Sequence, residues 1–344
     1  MGAESVSFYT QIVSGGGSEN DAARTERKSG HQAPMFSIIV PAFNVSPFIA
    51  ETLESIRSQS YRDFETILIN DGSSDSEALK AEVEPFLGDL IFLEQENLGA
   101  AAARNRGILA ASGKYIAFLD GDDIWQPEYL EKQLRFLEEG NHTMAYCDAY
   151  LFDENGIKYG TFMDRAPSTG PVTTSSLLNG SCNVITSGTV CLREAIIQAE
   201  LFDPRAGRTE DFDMWFRLAK RGTKIDYQKM ALLRYRVRST GLTGNEIASA
   251  ERSVDALEFV HEKYELIPEE MQAWATQHKR CKAQMLIEKG KAHLRQRRFD
   301  DARKCFVHAN KIRRTRKLTF VIALMAVYPG VVLWLFELAR SPRR

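Results

Sequence analysis

Along the first third of this chain, apolar residues fall in short unbroken runs separated by stretches of helical spacing. Phe36-Ser37-Ile38-Ile39-Val40 is a β-branched run stopped by Pro41, and Phe64 to Ile69 is a second. Neither shows the strict polar alternation of a half-exposed strand, so both read as strands covered on two faces. Between them Ile49, Leu53 and Ile56 recur at helical spacing behind Ser46 as cap and Pro47 at the first helical position, which predicts a helix from Ser46 to Gln59. A third strand over Leu90 to Leu93, an Ala-rich helix from Gly99 to Ala111 and a fourth strand from Tyr115 to Leu119 continue the alternation. Strand-helix repetition of this kind predicts an α/β domain: a Rossmann-like, mostly parallel sheet with right-handed crossovers, flanked by helices.

The pattern then changes twice. From Tyr146 to Arg238, short apolar runs (Met144–Cys147, Thr189–Leu192) lie among Gly- and Thr-rich loops and precede a helix from Asp211 to Lys220, which reads as the second half of the same domain. From Glu246 onward, strand signals give way to long charged helices, so the boundary is set near Asn245 and the domain at residues 34–245, with a helical extension over 246–317. Within that extension, Gly290, Ala292, Phe299, Ala302, Phe306 and Ala309 have the spacing of one tetratricopeptide-like hairpin, although a plain helical linker with small residues at crossings fits equally. One repeat cannot bury its own face, so it needs neighbouring helices or the first domain to stack on, and a protein partner docking on this tail is a further reading.

Leu318 to Phe336 is a run of nineteen residues without a charge, interrupted only by Tyr328-Pro329-Gly330. At 1.5 Å per residue it is long enough to cross a hydrocarbon core of ~30 Å. Alternatively it forms a helix-turn-helix in one leaflet, with flanking basic residues (Lys311 to Lys317; Arg340, Arg343, Arg344) on anionic headgroups, or a soluble core helix. The first two readings give residues 318–344 to a membrane surface, and the denser upstream basic cluster puts the α/β domain on the cytoplasmic face of the cell membrane. Residues 1–33 lack an apolar stretch and carry Ser14-Gly15-Gly16-Gly17-Ser18, which reads as a disordered tail and not a signal peptide.

Composition narrows the function classes. With 44% hydrophobic and 26% charged residues the chain is globular, and a net charge of −2 offers no global attraction for nucleic acid. The five cysteines form no C-x-x-C pair of the zinc or redox kind, which fits a reducing compartment. Neither G-x-G-x-x-G nor G-x-x-x-x-G-K-[ST] follows a strand, which argues against a dehydrogenase or a P-loop NTPase.

Three polar loops, Pro41–Asn44, Asn70–Asp75 and Asp120–Asp123, follow predicted strands, on the sheet edge where ligands of open α/β folds bind. Asp120-Gly121-Asp122-Asp123 crowds carboxylates that a Mg²⁺ or Mn²⁺ shared with substrate phosphates would neutralise; a solvated turn capping the next helix has the same composition. Asp71 and Asp75 make a good turn, or accept hydrogen bonds from a ribose or base. Glu210-Asp211-Phe212-Asp213 opens a helix where acids suit the dipole, or supplies a general base for an attacking hydroxyl.

In order and spacing, Ser37-Ile38-Ile39-Val40-Pro41-Ala42-Phe43-Asn44, Ile69-Asn70-Asp71-Gly72-Ser73-Ser74-Asp75, Asn97-Leu98-Gly99 with Ala103-Arg104-Asn105, Phe118-Leu119-Asp120-Gly121-Asp122-Asp123 and Glu210-Asp211-Phe212-Asp213-Met214-Trp215 resemble the family 2 inverting glycosyltransferases of the GT-A fold, over residues 36 to 240. The resemblance implies that Pro41, Ala42, Asn44 and Asp71 line a nucleotide-sugar pocket with Asp75, Arg104 and Asp120, Asp71 facing the base. It makes Asp120 and Asp122 the D-x-D pair, with Asp122 the direct ligand of Mn²⁺ or Mg²⁺. It gives the catalytic base to Asp211, with Glu210 as alternative. Arg236, in the basic tract Arg234–Thr240, would contact the diphosphate; a surface strand with solvated arginines is the competing reading. The Gln-x-x-Arg-Trp motif of processive members is missing. A single sugar moved from a nucleotide sugar, UDP-sugar favoured, to a hydroxyl of a glycan or lipid-linked acceptor is therefore expected, as in polysaccharide biosynthesis of the cell envelope. The rival class is a non-catalytic nucleotide-sugar-binding or scaffold protein that uses the helical tail for partners. A nucleotidyltransferase would need a Gly-rich phosphate loop that the first strand lacks.

Overall fold

The computed structural model describes residues 33–154, 156–238 and 245–340, so residues 1–32 of the expected tail and the last four basic-end residues lie outside the described part. Internal contacts divide the chain into two units, with the divide between Arg236 and Val237.

In the first unit the strands are β1 (Phe36–Ala42), β2 (Phe64–Asp71), β3 (Leu90–Gln95), β4 (Tyr115–Phe118), β5 (Ile124–Trp125), β6 (Met144–Asp153), β7 (Gly156–Thr161), β8 (Thr189–Leu192) and β9 (Ile225–Arg236). The helices are α1 (Ser46–Arg57), α2 (Ser76–Val83), α3 (Ala100–Ala110), α4 (Tyr129–Gly140), α5 (Phe162–Arg165), α6 (Thr174–Leu178), α7 (Arg193–Gln198) and α8 (Glu210–Lys220). One nine-stranded sheet runs β3-β2-β1-β4-β8-β6-β9-β5, with β7 on β6. Its β3-β2-β1-β4 half is parallel, as expected; β8 then inserts antiparallel between β4 and β6, so the whole sheet is mixed.

The unbroken apolar run of β1 follows from its place between β2 and β4, with α3 packed on it: Phe36 to Val40 are buried throughout. The register sets the site. Ala42 stands beside Asn70, and Leu119 donates its N–H to the Ile39 carbonyl at 3.1 Å, so the polar segments after β1, β2 and β4 leave the sheet side by side. Behind β4, Phe118, Phe202 and Trp215 meet edge to face with centroids 5.5 to 6.2 Å apart, which fixes α8 against the strand that leads into Asp120. One expectation fails locally. Ser46 is the first residue of α1 and not its cap; the cap position is Val45, and the Ser46 N–H is taken at 3.0 Å by Asp75 Oδ2 from the neighbouring loop.

The second unit is helical: α9 (Glu246–Lys263), α10 (Pro268–Arg295), α11 (Phe299–Ile312), α12 (Arg316–Val327) and α13 (Pro329–Arg340), each packed on the next. α10 and α11 pack on each other as a helical pair, with Gly290 directly against the Phe306 ring. The apolar run lies over this pair. Met325, Val332 and Leu333 join Leu294, Ala302 and Phe306 in one core, with Leu318, Val321, Ile322 and Phe336 packed around it; Phe320 and Trp334 are exposed.

The expected location at a cell membrane, held by the apolar segment, is overturned. No helix among the described residues is long and apolar enough to cross a membrane. The run is cut where Tyr328 leaves helical geometry before Pro329, giving two helices of 12 residues, about 18 Å each, against a core of ~30 Å.

Candidate functional site

The first two polar loops are laced together. Asn44 sits in the left-handed region (φ 52°), which its short amide side chain tolerates, and its N–H donates to Ser73 Oγ at 3.1 Å. Its Oδ1 accepts from the N–H (2.8 Å) and the hydroxyl (2.9 Å) of Ser74. At Gly72 (φ 65°) a Cβ would stand 2.5 Å from the Asn97 nitrogen, so only glycine lets this loop lie against the segment that leads into α3. Asp71 is buried and fastens the same segment: Oδ1 accepts from Gln95 Nε2 (2.7 Å) and Leu98 N (2.9 Å), and Oδ2 from Gly99 N (2.9 Å). A carboxylate has about four acceptor positions, so three are already filled within the protein.

The centre is an arginine between two acids. Arg104, on α3, donates through Nη2 to Asp120 Oδ1 at 2.8 Å and through Nη1 to Glu210 Oε1 at 2.7 Å, and its guanidinium lies over the Phe202 ring. Burial alone would weaken its charge, but Asp120 and Glu210 outweigh burial and its pKa is raised. Burial, and then the neighbouring charge of Asp211, lift the Glu210 carboxyl above its ordinary range against the pull of Arg104. Arg104, expected in the nucleotide-sugar pocket, thus directs both terminal nitrogens at protein carboxylates, and Glu210 is an ion-paired partner. The bridge ties the end of β4 to the start of α8.

Asp122 and Asp123 complete the strand-end turn. A Cβ on Gly121 would stand 3.2 Å from the Pro41 carbonyl, so the turn lies flat against the end of β1. Asp123 is buried; its Oδ1 accepts from the Arg236 N–H at 2.8 Å and its carbonyl from Thr52 Oγ1 at 2.8 Å. Burial, reinforced by the charges of Asp122 and Asp120, pushes its carboxyl well above the ordinary range. Arg236 closes the turn from β9: its Nε donates to the Asp122 carbonyl at 2.7 Å, its Nη2 pairs with Glu51, and its guanidinium is sandwiched by Phe48 and Phe152 at 4.7 and 4.3 Å. Among the described residues no set of three or more His, Cys, Asp or Glu side chains is arranged to hold a metal ion. The Asp120–Asp122 pair offers one or two carboxylates, the number Mg²⁺ takes from protein when phosphate oxygens complete its shell.

Asp211 is the second residue of α8, where the helix dipole favours a carboxylate. Its Oδ1 accepts from Phe212 N at 2.7 Å and its Oδ2 from Thr186 Oγ1 at 3.2 Å. Thr186 and Ser187 escape the sequence reading. They lie in a Thr- and Ser-rich stretch with no periodicity, and only the fold shows that this 3₁₀ turn, Thr186–Gly188, reaches both Asp211 and the backbone of Asp120.

A parallel half-sheet whose strand ends gather aspartates, faced by an acidic helix start, is the architecture of the GT-A fold. Solved structures agree at the level of fold: S. aureus TarS 1-349 in complex with UDP (TM-score 0.54, 17% identity, 90% of this chain and 93% of that one) and the Pyrobaculum calidifontis mannosyltransferase PcManGT in complex with GDP-Man and Mn²⁺ (0.59, 16%, 97% and 94%). The sequence profile described as Glycosyl transferase family 2 matches residues 37–198. TuaG of Bacillus subtilis (strain 168), provisionally named a teichuronic acid biosynthesis glycosyltransferase, is 30% identical over 64% of this chain and 86% of its own length. An uncharacterized glycosyltransferase of Rickettsia bellii (strain RML369-C) is 31% identical over 60% of this chain, which spans only 30% of that relative. The amylovoran biosynthesis glycosyltransferase AmsB of Erwinia amylovora is 33% identical over 55% of this chain and 65% of its length. The chain belongs to glycosyl transferase family 2.

Proposed function

We propose that this chain moves a single sugar from a nucleotide-diphosphate sugar, UDP-sugar favoured, to a hydroxyl of a glycan or lipid-linked acceptor, by one displacement that inverts the anomeric carbon. The observation that carries the reading is the Arg104 bridge, which brings the strand-end acid Asp120 and the helix-start pair Glu210-Asp211 to one edge of the sheet. The catalytic domain is assigned to residues 34–245. Pro41, Ala42 and Asn44 line the donor side, with Asp71 and Asp75 building its walls. Asp122, assisted by Asp120, would hold a divalent cation, which supplies charge neutralisation for the departing nucleoside diphosphate.

Asp211 is the base in this mechanism. Glu210 is ion-paired and its carboxyl is pushed up by burial, whereas Asp211 is half-buried at the helix start and receives one side-chain hydroxyl bond, a geometry suited to taking a proton from an acceptor hydroxyl. Names and ligands of similar proteins support the substrate class: UDP or UDP-GlcNAc with TarS, GDP-Man and Mn²⁺ with PcManGT, and polymer biosynthesis for TuaG and AmsB.

The test is a panel of UDP-, GDP- and dTDP-sugars assayed with and without Mn²⁺ or Mg²⁺. Metal-dependent release of nucleoside diphosphate from at least one donor is expected. Asp211→Asn should lower turnover at least ~10²-fold while the protein still binds donor. Turnover of that variant at the wild-type rate refutes the base assignment, and release from no donor refutes the activity.

A further inference from the structure

We propose that Thr186 is a positioning residue for Asp211, and that the rigid turn carrying it sets the base in register with the cation-side loop; this rests on the reading of Asp211 given above. The turn spans Thr186–Gly188 and leads directly into β8. Four bonds that involve side chains hold it: Trp125 Nε1 donates to the Ser187 carbonyl at 2.7 Å, Gln133 Nε2 to the Gly188 carbonyl at 2.9 Å, Thr189 Oγ1 to the Ile185 carbonyl at 2.8 Å, and the Asp120 N–H to Ser187 Oγ at 3.2 Å. The last of these fastens the turn to the first residue of the D-x-D segment.

From this mount Thr186, itself buried, points its hydroxyl at Asp211 Oδ2 at 3.2 Å. Threonine suits the task because a β-branched side chain is stiff at χ1, so the hydroxyl direction follows from the backbone. The Phe212 N–H holds Oδ1 at 2.7 Å, and the Thr186 donor on Oδ2 fixes the second oxygen, so the two together select the orientation presented to an acceptor hydroxyl. Thr186 does not touch the reacting atoms in this scheme. It acts through Asp211, and Ser187 gives the same turn its second anchor, so the base and the cation-side loop share one rigid reference.

The experiment uses the full chain and the donor that the panel above identifies. Thr186→Val keeps the shape and removes the hydroxyl. It should lower kcat roughly ten- to hundredfold, the weight of one hydrogen bond to a charged acceptor, with donor KM within about twofold of wild type. Thr186→Ser should restore most of the rate. In an Asp211→Asn background, Thr186→Val should add no further loss, because the two residues act as one unit. If T186V does not fold, Thr186→Ala, which also lacks the hydroxyl and places no new methyl, is read in the same way. Wild-type kcat in T186V, a loss confined to KM, or an undiminished loss in the D211N background each overturn the inference while leaving the transferase reading intact. A wild-type chain that turns over no donor brings down both.

Discussion

Replacing Arg104 by methionine keeps the apolar stem of the side chain and deletes the charge between Asp120 and Glu210. Breaking a buried ion pair from one side typically costs about 3–5 kcal/mol, because the surviving charge is left without a partner. The two partners are not equally stranded. The Asp120 side chain is 33% exposed and water screens it, whereas that of Glu210 is 10% exposed, so the loss is chiefly the Glu210 charge and belongs at the lower end, ~3 kcal/mol. Protonation limits that cost and gives the test its pH dependence. The Glu210 carboxyl is already raised by burial and by Asp211, with Arg104 pulling it down, and losing Arg104 raises it further. A carboxyl whose folded pKa lies above its unfolded one favours folding below the unfolded pKa and loses that contribution as pH rises through the folded pKa. R104M should therefore melt close to wild type near pH 5 and fall short as pH rises. At about pH 8 the deficit should be ~3 kcal/mol, or roughly 6–12 °C for a unit of about two hundred residues. Calorimetry of the full chain at both pH values measures it, and adding Glu210→Gln should recover most of the loss at the higher pH. A deficit equal at both pH values, or below ~1 kcal/mol at pH 8, would refute the view that Arg104 neutralises a buried acid.

Three further outcomes follow from the site and the helical unit. Asp122→Asn should abolish metal-stimulated release of nucleoside diphosphate while the melting temperature stays within a few degrees of wild type; unchanged stimulation would remove Asp122 from the cation site. Gly72→Ala, which sets a Cβ 2.5 Å from the Asn97 backbone at a positive φ, should cost about 1–3 kcal/mol and weaken donor binding, read by thermal melt and by titration with nucleoside diphosphate. Gly290→Ala drives a methyl to 2.6 Å from the Phe306 ring and should destabilise the helical unit by about 1–3 kcal/mol, visible as an earlier calorimetric transition with kcat unaltered; an unshifted melt would show that the ring yields freely.

The parallel half of the sheet was legible because its inner strands are buried on both faces and therefore carry unbroken apolar runs, as in Ile38-Ile39-Val40. The strands that escaped notice have other compositions. β9 mixes Asp226, Gln228, Lys229 and two arginines into twelve residues, and β5 is two residues long, so neither has a period to read. The site splits the same way. Asp71, Asp120, Asp122 and Asp211 were visible as acids at element ends, where turn chemistry and function ask for the same residues. What the acids touch was not visible. The pairing of Arg104 with Glu210 spans more than a hundred positions, and the bond from Thr186 to Asp211 joins a featureless Thr/Ser loop to a helix start. Those partners came only with the fold, and they separate Glu210 from Asp211 where the sequence left the two side by side.

The apolar run near the C-terminus shows why an uncharged stretch does not by itself specify a span. Length and lack of charge are properties of the whole run, but crossing a bilayer requires one continuous helix, and Pro329 denies it by removing a backbone donor just where the chain must hold its turn. Once cut, each half is a 12-residue helix whose apolar residues need another surface. The α10–α11 pair supplies one, because Leu294, Ala302 and Phe306 give it an apolar face that two helices cannot bury alone. Met325, Val332 and Leu333 settle on Leu294 and Phe306, so two segments that each read as incomplete complete one another. The small residues that fit a repeat and the apolar residues that fit a membrane were two halves of one core, and the sequence kept them apart because the contacts between them join helices, not positions within a helix.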